Sequence, residues 1–90
     1  MKVTIDPHAA ARMTERGATR PEVEHTIKRG TRSPAKYGRP CFTHTFAYNR
    51  KWQGKLYAHK TILAYAVETA KDEWLVVTVV VQFFNKRPRK

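Results

Sequence analysis

The hydrophobic pattern near the start of the chain has the three- to four-residue spacing of a helix. Asp6 is a suitable N-cap, and Pro7 fits the first helical position. Ala9 and Met13 are four residues apart and are expected to face the core, while Gly17 supplies the C-terminal stop. The pattern therefore predicts a short helix between Asp6 and Gly17.

A second helix is predicted directly after the first. Thr19 and Glu22 match a capping box, in which each side chain accepts a hydrogen bond from the backbone N–H of the other residue. Val23 and Ile27 form one narrow apolar stripe, and Gly30 ends the segment. The two helices are therefore expected to form a helical hairpin.

After these helices the period changes to two, which is typical of strands. The predicted strands are Lys2–Ile5 as a short edge strand, Cys41–Tyr48, Leu56–Val67 as one bent strand or two, and Trp74–Phe84. The segments predicted as loops or turns are Thr31–Pro40, Asn49–Lys55 and Ala70–Glu73.

The last strand indicates how the layers pack. Its uniformly apolar set is expected to meet the helices and comprises Leu75, Val77, Val79, Val81 and Phe83. The opposite set is mixed, is expected to be partly open, and comprises Trp74, Val76, Thr78, Val80, Gln82 and Phe84. The predicted fold class is α+β, with an N-terminal helical hairpin packed on one face of a three- to four-stranded antiparallel sheet. Residues 1–84 are expected to form a single domain and residues 85–90 a basic C-terminal tail.

The strong positive charge points to the partner of this domain. The chain has 18 Lys or Arg and 7 Asp or Glu, which gives a net charge of +11. The 43 residues from His25 to Val67 contain no Asp or Glu, so this segment cannot neutralise itself. Its cations are Lys28, Arg29, Arg32, Lys36, Arg39, Arg50, Lys51, Lys55 and Lys60. The expected partner is nucleic acid, RNA rather than DNA, and the alternatives are an acidic protein or a membrane surface.

The composition disfavours several other classes of protein. Cys41 is the single cysteine, which excludes an internal disulfide and a cysteine-built zinc site. The four histidines lack metal-ligand spacing and no glycine-rich phosphate loop occurs, so no metal and no cofactor are expected. The longest apolar run, Trp74–Val81, is about half of what a bilayer requires, and Lys2 precedes any apolar region. A cytoplasmic protein is therefore expected.

The segment His8–Gly17 reads HAAARMTERG and carries a family resemblance. A short strand, this His-Ala-x-x-Arg-Met-x-x-Arg-Gly motif, a capped second helix and a basic β-meander together resemble a family of small bacterial and phage domains. That family is similar to the RelE/ParE-like toxin superfamily, in which several members are metal-independent ribonucleases, others act on DNA topology, and toxins usually pair with an antitoxin. The resemblance therefore implies a RelE-like fold and a toxin-like, RNA-directed function.

Candidate catalytic residues lie on the first helix. Metal-free RNA cleavage needs proton-transfer groups and fixed cations near the phosphorus. His8, Arg12 and Arg16 recur every four residues and share one stripe, with His8 as the proton-transfer group and the arginines as phosphate clamps. His59, or Tyr57 at the same strand parity, is the candidate second proton-transfer group. Alternatively, His8 bonds to a neighbouring strand and both arginines are solvated or paired with a carboxylate on the same helix.

Candidate nucleic-acid contacts come from the basic segment and the last strand. They are Arg39, Arg50, Lys51, Trp52, Lys55, Lys60, Thr78 and Gln82. Lys60 is expected to hold phosphate, and the resemblance places Thr78 and Gln82 on the open sheet face where RelE-like nucleases bind RNA. Trp52 either stacks on an unpaired base or folds back as a lid over the sheet edge.

Three functions follow as alternatives. The first is a toxin-like metal-independent ribonuclease, and the second is a nucleic-acid-binding module without catalysis. The third is an interaction protein whose basic face docks an acidic partner, either an antitoxin or a host protein.

Overall fold

The computed structural model describes residues 1–33 and 39–85. In chain order the elements are β1 (Lys2–Ile5), α1 (Pro7–Arg16), α2 (Arg20–Arg29), β2 (Thr31–Ser33), β3 (Cys41–Trp52), β4 (Lys55–Ala70) and β5 (Glu73–Phe84). Lys36, one of the cations of the basic segment, and the basic tail from Lys86 onward lie outside the described residues.

Both predicted helices are confirmed, together with their caps. The Asp6 side chain accepts a hydrogen bond from the His8 backbone N–H at 2.9 Å, and Gly17 ends α1 in the left-handed conformation with φ of 83°. In the capping box of α2, Thr19 N–H donates to Glu22 Oε1 at 2.9 Å, and Glu22 N–H donates to Thr19 Oγ1 at 3.4 Å. Local sequence signals are sufficient here because each cap involves residues two or three positions apart.

The sheet is larger than expected and is mixed rather than purely antiparallel. Its five strands have the order β1-β5-β4-β3-β2, with β1 parallel to β5 and the remaining pairs antiparallel. The predicted loop Thr31–Pro40 was wrong at its start, because Thr31–Ser33 pairs with β3 as an edge strand. The predicted edge strand Lys2–Ile5 is confirmed, and it pairs in parallel with β5, from which both helices and three strands separate it along the chain.

A β-bulge changes which residues of β5 face the helices. Thr78 lies opposite Tyr65, whereas Val76 lies opposite Ala66, so Val77 is an extra residue in β5. Because a bulge reverses the alternation of faces, the predicted pattern fails before Val77 and holds after it. The residues that face the helices are Trp74, Val76, Val79, Val81 and Phe83. The expectation for Leu75 and Val77 was therefore wrong.

The core lies between the helices and this face of the sheet. Its buried members are Val3, Ala9, Met13, Ala18, Val23, Ile27, Phe42, Ile62, Ala64, Ala66, Trp74, Val76 and Val79. The expected inward positions of the helices, Ala9 and Met13 in α1 and Val23 and Ile27 in α2, are all among them.

A buried ion pair joins the sheet to the junction between the helices. Lys60 in β4 is 2% exposed, and its Nζ donates to Glu22 Oε1 at 2.7 Å and to the Gly17 carbonyl at 3.0 Å. The same ammonium lies 4.8 Å from the centre of the Tyr48 ring. Burial by itself raises the pKa of Glu22, but the hydrogen bonds and charge of Lys60 together with the bonds to Thr19 outweigh it and lower that pKa below its usual range.

We expect Glu22→Gln to reduce the free energy of unfolding by about 2–3 kcal/mol. The glutamine oxygen can still accept the Thr19 N–H, so the capping box is retained while the buried Lys60 ammonium loses its carboxylate. Urea denaturation of both proteins measures the difference. The matched control is Glu15→Gln, which removes an exposed pair with Arg12 and is expected to cost less than about 1 kcal/mol. Equal losses in the two variants would contradict the role assigned to the buried pair.

Candidate nucleic-acid interface

The β3–β4 hairpin presents the exposed cations of the basic segment. Trp52 pairs with Lys55 across a two-residue turn, where Gln53 and Gly54 have φ of 51° and 84°. Positive φ at both central residues is typical of the turn that matches the natural twist of a hairpin. The predicted polar turn over residues 49–55 is thus mostly strand, and only its last part turns.

A second irregularity bends this hairpin. Ala47 pairs with His59 and Arg50 pairs with Tyr57, so β3 carries one more residue than β4 between these pairs. Asn49 lies in this bulge with φ of 52°, a conformation that asparagine tolerates better than most residues. Bulges increase local twist and bend the strand. The end of the hairpin therefore bends towards α1.

Four aromatic side chains form a cluster at this bend. Phe83 lies at its centre, with ring centroids 5.3 Å from Tyr48, 5.2 Å from Trp52 and 5.4 Å from Tyr57. The Trp52 and Phe83 rings are stacked with an interplanar angle of 15°. All four side chains are half-buried. We call Tyr48, Trp52, Tyr57 and Phe83 the aromatic cluster.

Gly17 allows this cluster to reach the helices. A Cβ atom at Gly17 would lie 2.9 Å from two carbon atoms of the Trp52 ring and 3.1 Å from Phe83. Only glycine fits this approach, and it also supplies the left-handed ending of α1. Of the two interpretations of Trp52, the structure places the indole back against the fold, with part of it exposed.

The cations of the hairpin lie over the rings of this cluster. The Arg50 guanidinium is 5.6 Å from the Tyr48 centroid, and the Lys55 ammonium is 5.4 Å from the Tyr57 centroid. Both residues and Lys51 are exposed. Within the described residues the four ion pairs involve other groups, so these three cations keep their full charge towards solvent.

The three residues of the predicted catalytic stripe occupy different environments. His8 is exposed at the start of α1. Arg12 is exposed and pairs with Glu15 at 3.1 Å, as the alternative interpretation holds. Arg16 is half-buried, and its Nη1 donates to the Val79 carbonyl at 2.6 Å, on the edge of β5 beyond the end of β1. Arg16 therefore anchors α1 to the sheet.

The remaining cationic candidates also differ in accessibility. Lys60 is buried and bonded to Glu22, so the expectation that it holds phosphate was wrong. Arg39 is exposed just before β3. Sequence reasoning could not identify Lys60 as internal, because its partner Glu22 lies 38 positions away.

The remaining candidate site residues lie on the other face of the sheet. His59 pairs with Phe84, Thr61 with Gln82, and Tyr65 with Thr78, so His59, Gln82 and Thr78 all lie on the side opposite the core. The residues of this side, in cross-strand register, are Lys2, Thr4, Thr31, Ser33, Cys41, Thr43, Thr45, Ala47, His59, Thr61, Leu63, Tyr65, Val67, Glu73, Leu75, Thr78, Val80, Gln82 and Phe84. We call this set the uncovered face, since no described helix packs on it.

Among the described residues of the uncovered face, the formal charges are those of Lys2 and Glu73, which lie opposite each other at its β1 edge. His59 packs against Phe84 with ring centroids 5.2 Å apart. His8 is carried by a helix on the opposite side of the sheet, so the two predicted proton-transfer groups are not brought together. Apart from Lys2, the described part of the uncovered face also lacks the cations that a phosphate chain requires.

A pair of histidines links α2 to β3. His25 is exposed on α2, and its ring centroid is 4.7 Å from that of His44, which in turn packs against Phe46 at 4.6 Å. Desolvation, and then the charge of His25, lower the pKa of His44 below its usual value. His44 is therefore a packing residue that is favoured in its neutral form.

We expect the stability of the protein to fall as the pH decreases from about 7 to about 5, in part because of His44. In the unfolded chain His44 titrates at its ordinary value of about 6.5, so the unfolded state binds more protons than the folded state over this range. His44→Phe should flatten the pH dependence of the unfolding free energy, and His8→Ala, outside this contact, should not. Denaturation at several pH values measures it, and identical profiles for wild type and His44→Phe would contradict this assignment.

Comparisons with protein-family models, with curated proteins and with solved structures find no significant match to this chain. In residues 1–33 and 39–85 no three His, Cys, Asp or Glu side chains are grouped so that they could hold a metal ion. The same residues contain no helix with the length and hydropathy needed to cross a bilayer. The site is therefore interpreted from its own geometry.

Proposed function

We propose that this domain binds single-stranded RNA through the β3–β4 hairpin and the aromatic cluster, without cleaving it. The observation that carries this proposal is the placement of exposed Arg50 and Lys55 over the half-exposed rings of Tyr48 and Tyr57. Backbone phosphates would contact the cations, and unpaired bases would contact the exposed parts of the rings.

The charge distribution supports phosphate binding at the hairpin. Glu15, Glu22 and Glu24 each pair with a cation of the helices or of β4, and Asp72 pairs with the N-terminus. The hairpin has no carboxylate of its own, so its field is not neutralised locally. Such a field raises the local concentration of polyanions and the rate of their association.

The aromatic cluster supports a single strand over a duplex. Aromatic side chains stack on bases only when those bases are unpaired, and each stacked base contributes about 1–3 kcal/mol. RNA-binding modules read single-stranded segments in this manner. The preference for RNA over DNA rests on the resemblance of His8–Gly17 to the toxin-like family and is tested below with matched oligonucleotides.

Helix α1 extends the same surface. Gly17 contacts Trp52, so the end of α1 is adjacent to the cluster. Arg16 uses Nη1 to bond Val79, and a guanidinium has five N–H donors, so further donors remain for a phosphate. The exposed pair of Arg12 with Glu15 is weak, and a phosphate can replace the carboxylate.

We expect Lys51→Ala and Lys55→Ala each to weaken binding of a single-stranded RNA oligonucleotide. Each loss of one phosphate contact should reduce the slope of log K against log salt concentration by about 0.7. Fluorescence anisotropy over a salt series, with RNA and DNA of the same sequence, measures both effects. Lys71→Ala is the matched control, because Lys71 is exposed at the β4–β5 turn, at the opposite end of β4. An equal change of slope in Lys71→Ala would contradict the proposal, because RNA binding would then depend on the total charge of the protein and not on the hairpin.

We expect labelled RNA to be bound and left intact in the presence of EDTA. His8 lies at the start of α1, at the opposite end of this helix from Gly17 and the aromatic cluster, and His59 lies on the uncovered face. His8→Ala should therefore leave both binding and RNA integrity unchanged. Gel analysis of the RNA after incubation measures this. If the wild type cleaves the RNA and His8→Ala does not, the binding proposal is wrong and the metal-independent ribonuclease is the correct alternative. Binding of an acidic antitoxin, which the resemblance implies, stays a prediction.

A further inference from the structure

The two central strands have apolar side chains on both faces. On the core side are Ile62 of β4 and Val79 of β5, while the uncovered face has Leu63, Tyr65 and Val80. A sheet with one face in water normally alternates apolar and polar residues, whereas strands covered on both faces are apolar throughout. Thr61, Thr78 and Gln82 on the same face are polar, so the part of the uncovered face around Leu63, Tyr65 and Val80 is the part that resembles a face with a second covering layer.

The charge of the uncovered face limits which kind of partner can form this second layer. The chain has a net charge of +11, but the formal charges on the described part of the uncovered face are one pair of opposite sign, Lys2 and Glu73, at its edge. The electrostatic effect of Cys41, followed by a hydrogen bond to it and by burial, raises the pKa of Tyr65 above its usual value, so the phenol is neutral at physiological pH. The central part of this face therefore has no charge that would attract a nucleic acid or an acidic protein. A neutral partner surface fits.

We propose that a second copy of this chain packs on the uncovered face, so that two sheets stack to form a symmetric dimer. An identical neutral face brings no like charges into contact, and a two-fold axis places the helices and the cationic hairpins of both copies on the outside. Sheets that pack face to face lie about 10 Å apart. The dimer is thus independent of the proposed RNA surface.

The polar groups of the face do not oppose this packing. The hydroxyls of Thr45 and Thr61 bond to each other at 2.7 Å, and Cys41 Sγ lies 3.9 Å from Thr43 Oγ1. Groups that already have a partner lose little when water leaves. Thr43, Thr45 and Thr61 can therefore be covered at low cost.

The area of the face sets the expected strength. Four strands about 4.8 Å apart, with roughly eight residues at about 3.3 Å each, cover roughly 500 Å², or about 1,000 Å² for two copies. This is near the lower limit of specific interfaces. The dimer is therefore expected to be weak and in equilibrium with the monomer.

The test is sedimentation equilibrium of the full chain, freed of nucleic acid, over a concentration series at about 0.05 and about 0.5 M salt. The dimer should be at least as stable at high salt, because salt screens the repulsion between two copies of charge +11. Leu63→Lys should weaken association at least about tenfold, because the two-fold axis places the new charge in the interface twice. Leu56→Lys is the matched control, since Leu56 is 60% exposed on the hairpin and outside the uncovered face.

A second variant separates association from folding. Gln82 is exposed on the uncovered face, so Gln82→Lys adds a charge there without disturbing the core, and it should weaken association in the same direction as Leu63→Lys. A wild-type protein that stays monomeric throughout the series overturns the proposal. So does association that Leu56→Lys or Lys51→Ala weakens as much as Leu63→Lys, or that disappears at high salt, because either result indicates bridging through the hairpin.

Discussion

The contact of the Lys60 ammonium with Glu22 and the Gly17 carbonyl holds the two layers of the molecule in register. An ammonium that is buried without a partner is very unfavourable, so the helix junction must stay where it provides both acceptors. That position of Gly17 brings Trp52 and Phe83 against the end of α1. The arrangement of the hairpin, the aromatic cluster and the helices thus depends on one buried charge.

The surfaces of the molecule differ in the charged residues that they carry. Carboxylates are confined to the helices, the β4–β5 turn and their flanking residues, and most are paired there. The hairpin has exposed cations beside aromatic rings, while the charges on the described part of the uncovered face are the pair Lys2 and Glu73 at its edge. One side is suited to a polyanion and another to a neutral surface, so the two proposed interactions do not compete for residues.

Sequence reasoning succeeded where structure is determined by near neighbours. The caps at Asp6 and Thr19 and the inward faces of both helices follow from residues within one or two turns. It failed where contacts between residues far apart in the sequence determine the structure. The bulge at Val77 reverses the faces of part of β5, and Glu22, the partner of Lys60, lies in the helical layer. For the candidate site, the exposed cations were identified, but the aromatic cluster was not, since Phe83 joins the hairpin only through the sheet.

The parallel pairing of β1 with β5 has a consequence for how the chain reaches its native state. Lys2 lies beside Glu73, and α1 packs mainly on β5, so the earliest elements to be synthesised have no surface to pack on until the last strand is made. Contacts of such large sequence separation slow folding, because a long loop must close before burial stabilises it. The β3–β4 and β4–β5 hairpins are local, so they are the natural nucleus on which the N-terminal segment docks afterwards.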